Sequence, residues 1–118
     1  MGIDWGKRRV GIAISDETGL IARPLTILPG PFPIKKISEI TKEHNVQEVI
    51  VGYPLSWDDS ENQRCREVRE FIRILRKNLT LPVMAVDEWG SSKKAENDAE
   101  AAAGILQYYL DTKDIVDI

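Results

Sequence analysis

Hydrophobic positions along this chain switch between a period of two and a period near 3.6. Val10 to Ser15 alternate as V-G-I-A-I-S, and after the turn D-E-T-G the stretch Leu20 to Leu28 continues with branched residues. With a short apolar run that leads into Asp4, this predicts three strands in an antiparallel meander. Pro29, Pro31 and Pro33, with Gly30, then break the pattern. From Ile34 to Asn45 the residues Ile34, Ile37 and Ile40, followed by Val46, fall at helical spacing with lysines and glutamates between them, which predicts an amphipathic helix. Val49 to Val51 is a continuous apolar run that ends at Gly52 and Pro54, as in a buried parallel strand, and Gly52 to Ser60 is a loop at its carboxyl end. Ser60 to Leu79 predicts a second helix, with Val68, Phe71, Ile72, Leu75 and Leu79 on one face and Arg66, Arg69, Arg73, Arg76 and Lys77 on another. L-P-V-M-A-V-D-E is a further strand. Asp98 to Leu110 is a last helix with Asp98, Ala102, Leu106 and Tyr109 along one face.

That order predicts an α/β fold: one mixed five-stranded sheet, three strands antiparallel and two parallel, flanked by helices. The 118 residues, 42% hydrophobic, suit a single domain over 1–118. No apolar run reaches the roughly 18 residues of a membrane span, and no secretory leader is evident, so the expected location is cytoplasmic. One cysteine, Cys65, and one histidine, His44, leave no His/Cys set for zinc, so a metal site here would use oxygen ligands. The net charge of −3 argues mildly against a simple polyanion binder.

Three acids from separated segments stand out. Asp4 ends a strand beside Gly6, Glu88 ends another, and Asp98 opens a helix toward its core-facing side. Gathered at one sheet edge, such carboxylates repel unless a cation neutralises them, and magnesium, an oxygen-seeking ion often completed by substrate phosphate, suits that set. Each acid also has a plainer reading. Asp4 can begin a turn, Asp98 can be a helix N-terminal acid favoured by the dipole, and Asp87 and Glu88 can be solvated. Lys7, Arg8 and Arg9 beside Asp4 are candidates to grip a phosphate backbone, or form a charged hairpin tip. The arginine stripe, with Arg66, Arg69 and Arg73, contacts phosphate or is a solvent face balanced by Glu67 and Glu70. Trp5 and Trp89 pack, or stack on unpaired bases.

The motifs GIDWGKRRVGIAISD, ARPL at Ala22 to Leu25, IVGYPLSWD at Ile50 to Asp58, VDE at Val86 to Glu88 with Ser91 and Ser92 after it, and DAEAAAGILQYYLD at Asp98 to Asp111 together resemble the YqgF family, also called RuvX. The resemblance implies an RNase H-like fold and a Mg2+- or Mn2+-dependent nuclease. The family is described as a Holliday junction resolvase and is also implicated in maturing the 5′ end of pre-16S ribosomal RNA. It implies catalytic and metal-binding roles for Asp4, Glu88 and Asp98, and a nucleic acid partner, either a structured RNA precursor or branched DNA. A resolvase that cuts two symmetric strands would act as a homodimer. This chain departs from the family pattern in three places. Trp89 stands where Arg is usual, Asp58-Asp59 stands where Asp-Gly is common, and Trp89 to Asn97 is shorter than the family's often basic stretch, so that either this member is shortened or a loop is absent from the sequence there. A helix started by a serine cap in SSKKAEN would place Asp98 mid-helix, at odds with a site role. Two rivals are the phosphate-binding domain of an actin- or sugar-kinase-like ATPase, from the D-x-G hairpin, and a non-catalytic nucleic-acid-binding domain.

Overall fold

The computed structural model describes residues 1–88 and 95–118. Its strands are β1 (Gly2–Asp4), β2 (Arg9–Ser15), β3 (Ala22–Pro29), β4 (Val49–Tyr53) and β5 (Val83–Asp87), and its helices are α1 (Ile34–Glu43), α2 (Gln63–Asn78) and α3 (Asp98–Thr112). The sheet order is β3-β2-β1-β4-β5. β1 to β3 pair antiparallel, whereas β1 with β4 and β4 with β5 pair parallel. This is the mixed sheet that the alternation predicts, with the first strand at the centre. Ile50, Val51 and Gly52 are buried because β4 lies inside the sheet with helices on both faces.

Side chains of β1 alternate across the sheet. Met1, Ile3 and Trp5 enter the larger core with Val68, Phe71 and Leu75 of α2 and Ile37 and Ile40 of α1. Gly2 and Asp4 therefore face the other side, where α3 lies with Ile105, Leu106 and Tyr109 against Ile50 and Val86. Two glycines let that helix approach. A Cβ on Gly2 would stand 2.6 Å from the Ala102 carbonyl oxygen, and one on Gly11 only 1.9 Å from the carbonyl oxygen of Asp98.

Helix ends differ from the sequence reading where side-chain caps intervene. The second helix begins at Gln63 rather than Ser60, because the Asn62 side chain accepts the Cys65 N–H. α1 ends at Glu43, and Asn45 takes a left-handed φ of 52°, which asparagine tolerates better than most residues. In the loop before α2, Asp59 stands left-handed at φ 64°, and the Asp58 carboxylate accepts both N–H and O–H of Ser60. The turn forms without the family's glycine. α3 starts at Asp98, capped by Asn97, whose side chain accepts the Glu100 N–H. Asp98 is thus the first helical residue, not a mid-helix one. The proposed serine cap at Ser91 and Ser92 lies outside the described residues, as does Trp89. β3 is an edge strand that carries Pro24 and Pro29 and leaves Leu25 and Ile27 partly exposed. Among the described residues no helix is long and apolar enough to cross a membrane.

Candidate active site

Three backbone features bring the acids to one end of the sheet. Asp4 pairs with Gly11 across the β1–β2 ladder, so both point to the same face. The space above Gly11 is filled by the backbone of Asp98 and Ala99. The first turn of α3 is thereby seated beside Asp4. Glu88 comes from the end of β5, where Asp87 pairs with Tyr53 in the parallel register. Its Cγ and Oε1 lie 2.8 Å from where a Cβ on Gly52 would stand, so the missing side chain of β4 makes room for the Glu88 carboxylate.

Electrostatics register this convergence. The Asp4 carboxyl is pushed up from 3.8 to about 7, first by burial and then by the negative charges of Glu88 and Asp98, with Arg64 opposing. Glu88 is also raised, mainly by burial and to a lesser extent by Asp87, again with Arg64 opposing. Asp98 is held by Arg9, whose Nε donates to Oδ2 at 2.8 Å. Among the described residues no group of three or more His, Cys, Asp or Glu side chains is placed to hold a metal ion as it stands. The donor set nevertheless fits a hard divalent cation, because it is all oxygen and its central acid is strained by neighbouring carboxylates.

A cleft of about 550 Å³ opens beside Asp4 and Asp98, and Lys7, Arg8, Arg9 and Arg64 line it. Lys7 meets Glu67 at 2.9 Å. The arginine stripe of α2 is more self-contained. Arg69 donates to Tyr53 and pairs with Glu61, Arg73 pairs with Glu70, and Arg66 donates to Gln63. None of Arg66, Arg69 and Arg73 lines the cleft that holds Asp4. Trp5 is 4% exposed and packs between β1 and α2, so of its two readings the structure selects packing.

Arg64 is the residue that the sequence reading missed. It stands at spacings of four, seven and eleven before Val68, Phe71 and Leu75, on the apolar stripe of α2, and a charge on that stripe is the signal that could have found it. Its Nη2 donates to the Trp5 carbonyl at 3.2 Å, and it is the cation that opposes the raised pKa of both Asp4 and Glu88. Arg64→Ala is expected to push the Asp4 carboxyl further above 7, by roughly one pH unit. A carboxyl 13C titration of metal-free protein checks this.

The chain matches the family model "RuvX: Holliday junction resolvase" over residues 1–112. It is 33% identical over 135 residues to "Putative pre-16S rRNA nuclease" of Syntrophus aciditrophicus, covering 94% of this chain and 87% of the relative. It is 37% identical over 132 residues to a protein of the same name from Trichormus variabilis, covering 96% and 87%. Both alignments are longer than this 118-residue chain, so the relatives carry segments that it lacks. Among solved structures it is similar to RuvC of T. thermophilus in complex with a Holliday junction substrate, at a TM-score of 0.63 and 16% identity, covering 97% of this chain and 95% of that one. That likeness establishes the RNase H-like fold.

Proposed function

This chain belongs to the RuvX family, and from that premise we propose that it is a divalent-metal-dependent endonuclease that hydrolyses phosphodiester bonds in structured nucleic acid. The observation that carries the reading is the Asp4 carboxyl, raised to about 7 by burial and by two acids from distant segments. Partly buried acids held together against their mutual repulsion are a costly arrangement, and a cation is what relieves it. A Mg2+ or Mn2+ ion held by Asp4, Glu88 and Asp98 would supply charge stabilisation at the phosphate and an activated water.

The protein's own residues supply the rest. Asp4, on the central strand, is the acid shared by both neighbours, and β1 fixes its position more firmly than a loop could. Arg64 opposes the rise of both the Asp4 and the Glu88 carboxyl and so favours their ionised forms. Lys7 and Arg8, exposed on the β1–β2 hairpin at the mouth of the cleft, meet the phosphate backbone of the substrate. Arg9 holds Asp98 until the site is filled, and then becomes a further phosphate contact. Arg66, Arg69 and Arg73 serve a substrate long enough to leave the cleft and run along α2. The substrate is a precursor of 16S ribosomal RNA, cut toward its 5′ end, a reading supported as far as the precursor by the names of the relatives, and a four-way DNA junction is the second reading, favoured by the description of the family model. Either substrate places the protein in the cytoplasm, and the junction would call for a homodimer.

The test compares labelled pre-rRNA and four-way junction substrates, with Mg2+, with Mn2+ and with chelator, for wild type, Glu88→Gln and Asp98→Asn. Metal-dependent cleavage that both variants lose supports the proposal. Equal cleavage by all three overturns it, and ATP hydrolysis without cleavage of either substrate transfers the site to the phosphate-binding rival.

A further inference from the structure

A second depression, of about 470 Å³, adjoins the acidic cleft and shares Trp5, Lys7, Gln63 and Glu67 with it. Its wall carries Phe32, from the loop between β3 and α1, which is 45% exposed. The ring is firmly backed. It stacks on Trp5 at 6.4 Å and 25° and on Phe71 at 6.5 Å and 15°, and both of those residues are buried. The indole N–H of Trp5 donates to the Pro31 carbonyl at 2.7 Å and ties the loop to the residue that follows Asp4. Trp57 is more exposed, at 82%, but has no stacked partner among the described residues and lines neither depression.

The charges around Phe32 balance: Lys7 and Arg66 on one side, Glu67 and Glu70 on the other, with Lys7 paired to Glu67 and Glu70 to Arg73. A balanced rim around an open aromatic face suits a flat, neutral, π-rich group rather than a phosphate. We infer that Phe32 is a stacking platform for one unpaired nucleobase of the strand whose phosphate lies in the adjoining acidic cleft. The inference rests on the nuclease reading only for the identity of that strand. The platform selects substrates with an unpaired or displaced base near the cut and sets where along the strand the cut falls, because the base and the phosphate are held by one rigid unit, Trp5 and its neighbours. RNA and DNA share the π-face that Phe32 would meet, so both are probed.

The experiment uses short RNA and DNA strands with a single unpaired 2-aminopurine, in chelator so that no cleavage occurs, and follows the fluorescence quenching that stacking produces. Phe32→Leu keeps apolar cover over Trp5 and Phe71 but has no π-face, and Phe32→Trp restores one. Wild type and Phe32→Trp are expected to quench with either sugar or with one of them, whereas Phe32→Leu and Phe32→Ala lose the quenching and bind about tenfold more weakly. Wild-type quenching in Phe32→Leu, or no quenching by wild type on either strand, overturns the platform. Cleavage of the same strands in Mg2+ is scored separately. If quenching depends on Phe32 while no strand is ever cut, the platform stands and the nuclease reading falls. If strands are cut at wild-type rate and position by Phe32→Leu, the platform falls and the nuclease reading stands.

Discussion

Asp4→Asn is expected to lower phosphodiester hydrolysis by about a thousandfold while making the metal-free protein more stable at pH 8. The first effect follows from removing the negative charge of the central proposed ligand, since a metal site would supply several kcal/mol of charge stabilisation to the reaction. The second follows from the same electrostatics with the sign reversed. Raising the Asp4 carboxyl from 3.8 to about 7 corresponds to a penalty on the ionised folded form of at most about 4 kcal/mol. Below about pH 4 the aspartate is protonated in both folded and unfolded chains, and the penalty is absent. As pH rises toward 7 the unfolded chain ionises first, stability drains away, and above 7 the loss is complete. Asparagine carries no charge at any of these pH values. Urea melts of wild type and variant should therefore agree near pH 4 and separate up to pH 7, with no further change above it. Saturating Mg2+ should close the gap by stabilising wild type alone. A variant that is less stable than wild type at pH 8 without metal would mean that burial and the neighbouring acids do not raise the Asp4 carboxyl.

Gly11→Ala is expected to damage fold and site together. The added Cβ would sit 1.9 Å from the Asp98 carbonyl oxygen, 2.2 Å from its carbonyl carbon and 2.8 Å from the Ala99 nitrogen. All three are backbone atoms, so no side chain can rotate away and the first turn of α3 must lift. Overpacking of this kind costs about 3 kcal/mol or more, which lowers Tm by roughly 10 °C or more in a domain of this size. Any folded fraction would hold Asp98 further from Asp4. The Asp4 carboxyl should accordingly titrate below about 7 in this variant, and a melting curve with a carboxyl titration on the same sample tests both halves of the claim.

Sequence periodicity reached the sheet because each strand announces itself locally, through the alternation at Val10 to Ser15 and the unbroken run at Val49 to Val51. The acids were legible for a related reason: Asp4 and Glu88 interrupt strand ends, where a carboxylate is out of character. Asp98 was legible because it lies on the same face as Ala102, Leu106 and Tyr109, three residues that are buried. What stayed hidden depends on distance along the chain. Arg9 and Asp98 are 89 residues apart in sequence and meet only because α3 crosses β2 over a glycine. Gly11 and Gly52 look in sequence like ordinary strand glycines, and nothing local says which atoms occupy the space that they vacate. Arg64 belonged to the wrong class for the stripe on which it sits, and Trp5 looked available because the aromatic residues that enclose it, Phe32 and Phe71, come from other segments.

The outer margin of β3 has a consequence for how the molecule behaves in a crowd. A strand with only one hydrogen-bonded neighbour, and with Leu25 and Ile27 half open to water, is a template on which another chain could grow. Proline offers no N–H, and Pro24 and Pro29 bracket those two residues. The run that a foreign strand could copy is thereby cut to four residues, which leaves little ladder for a second chain to extend.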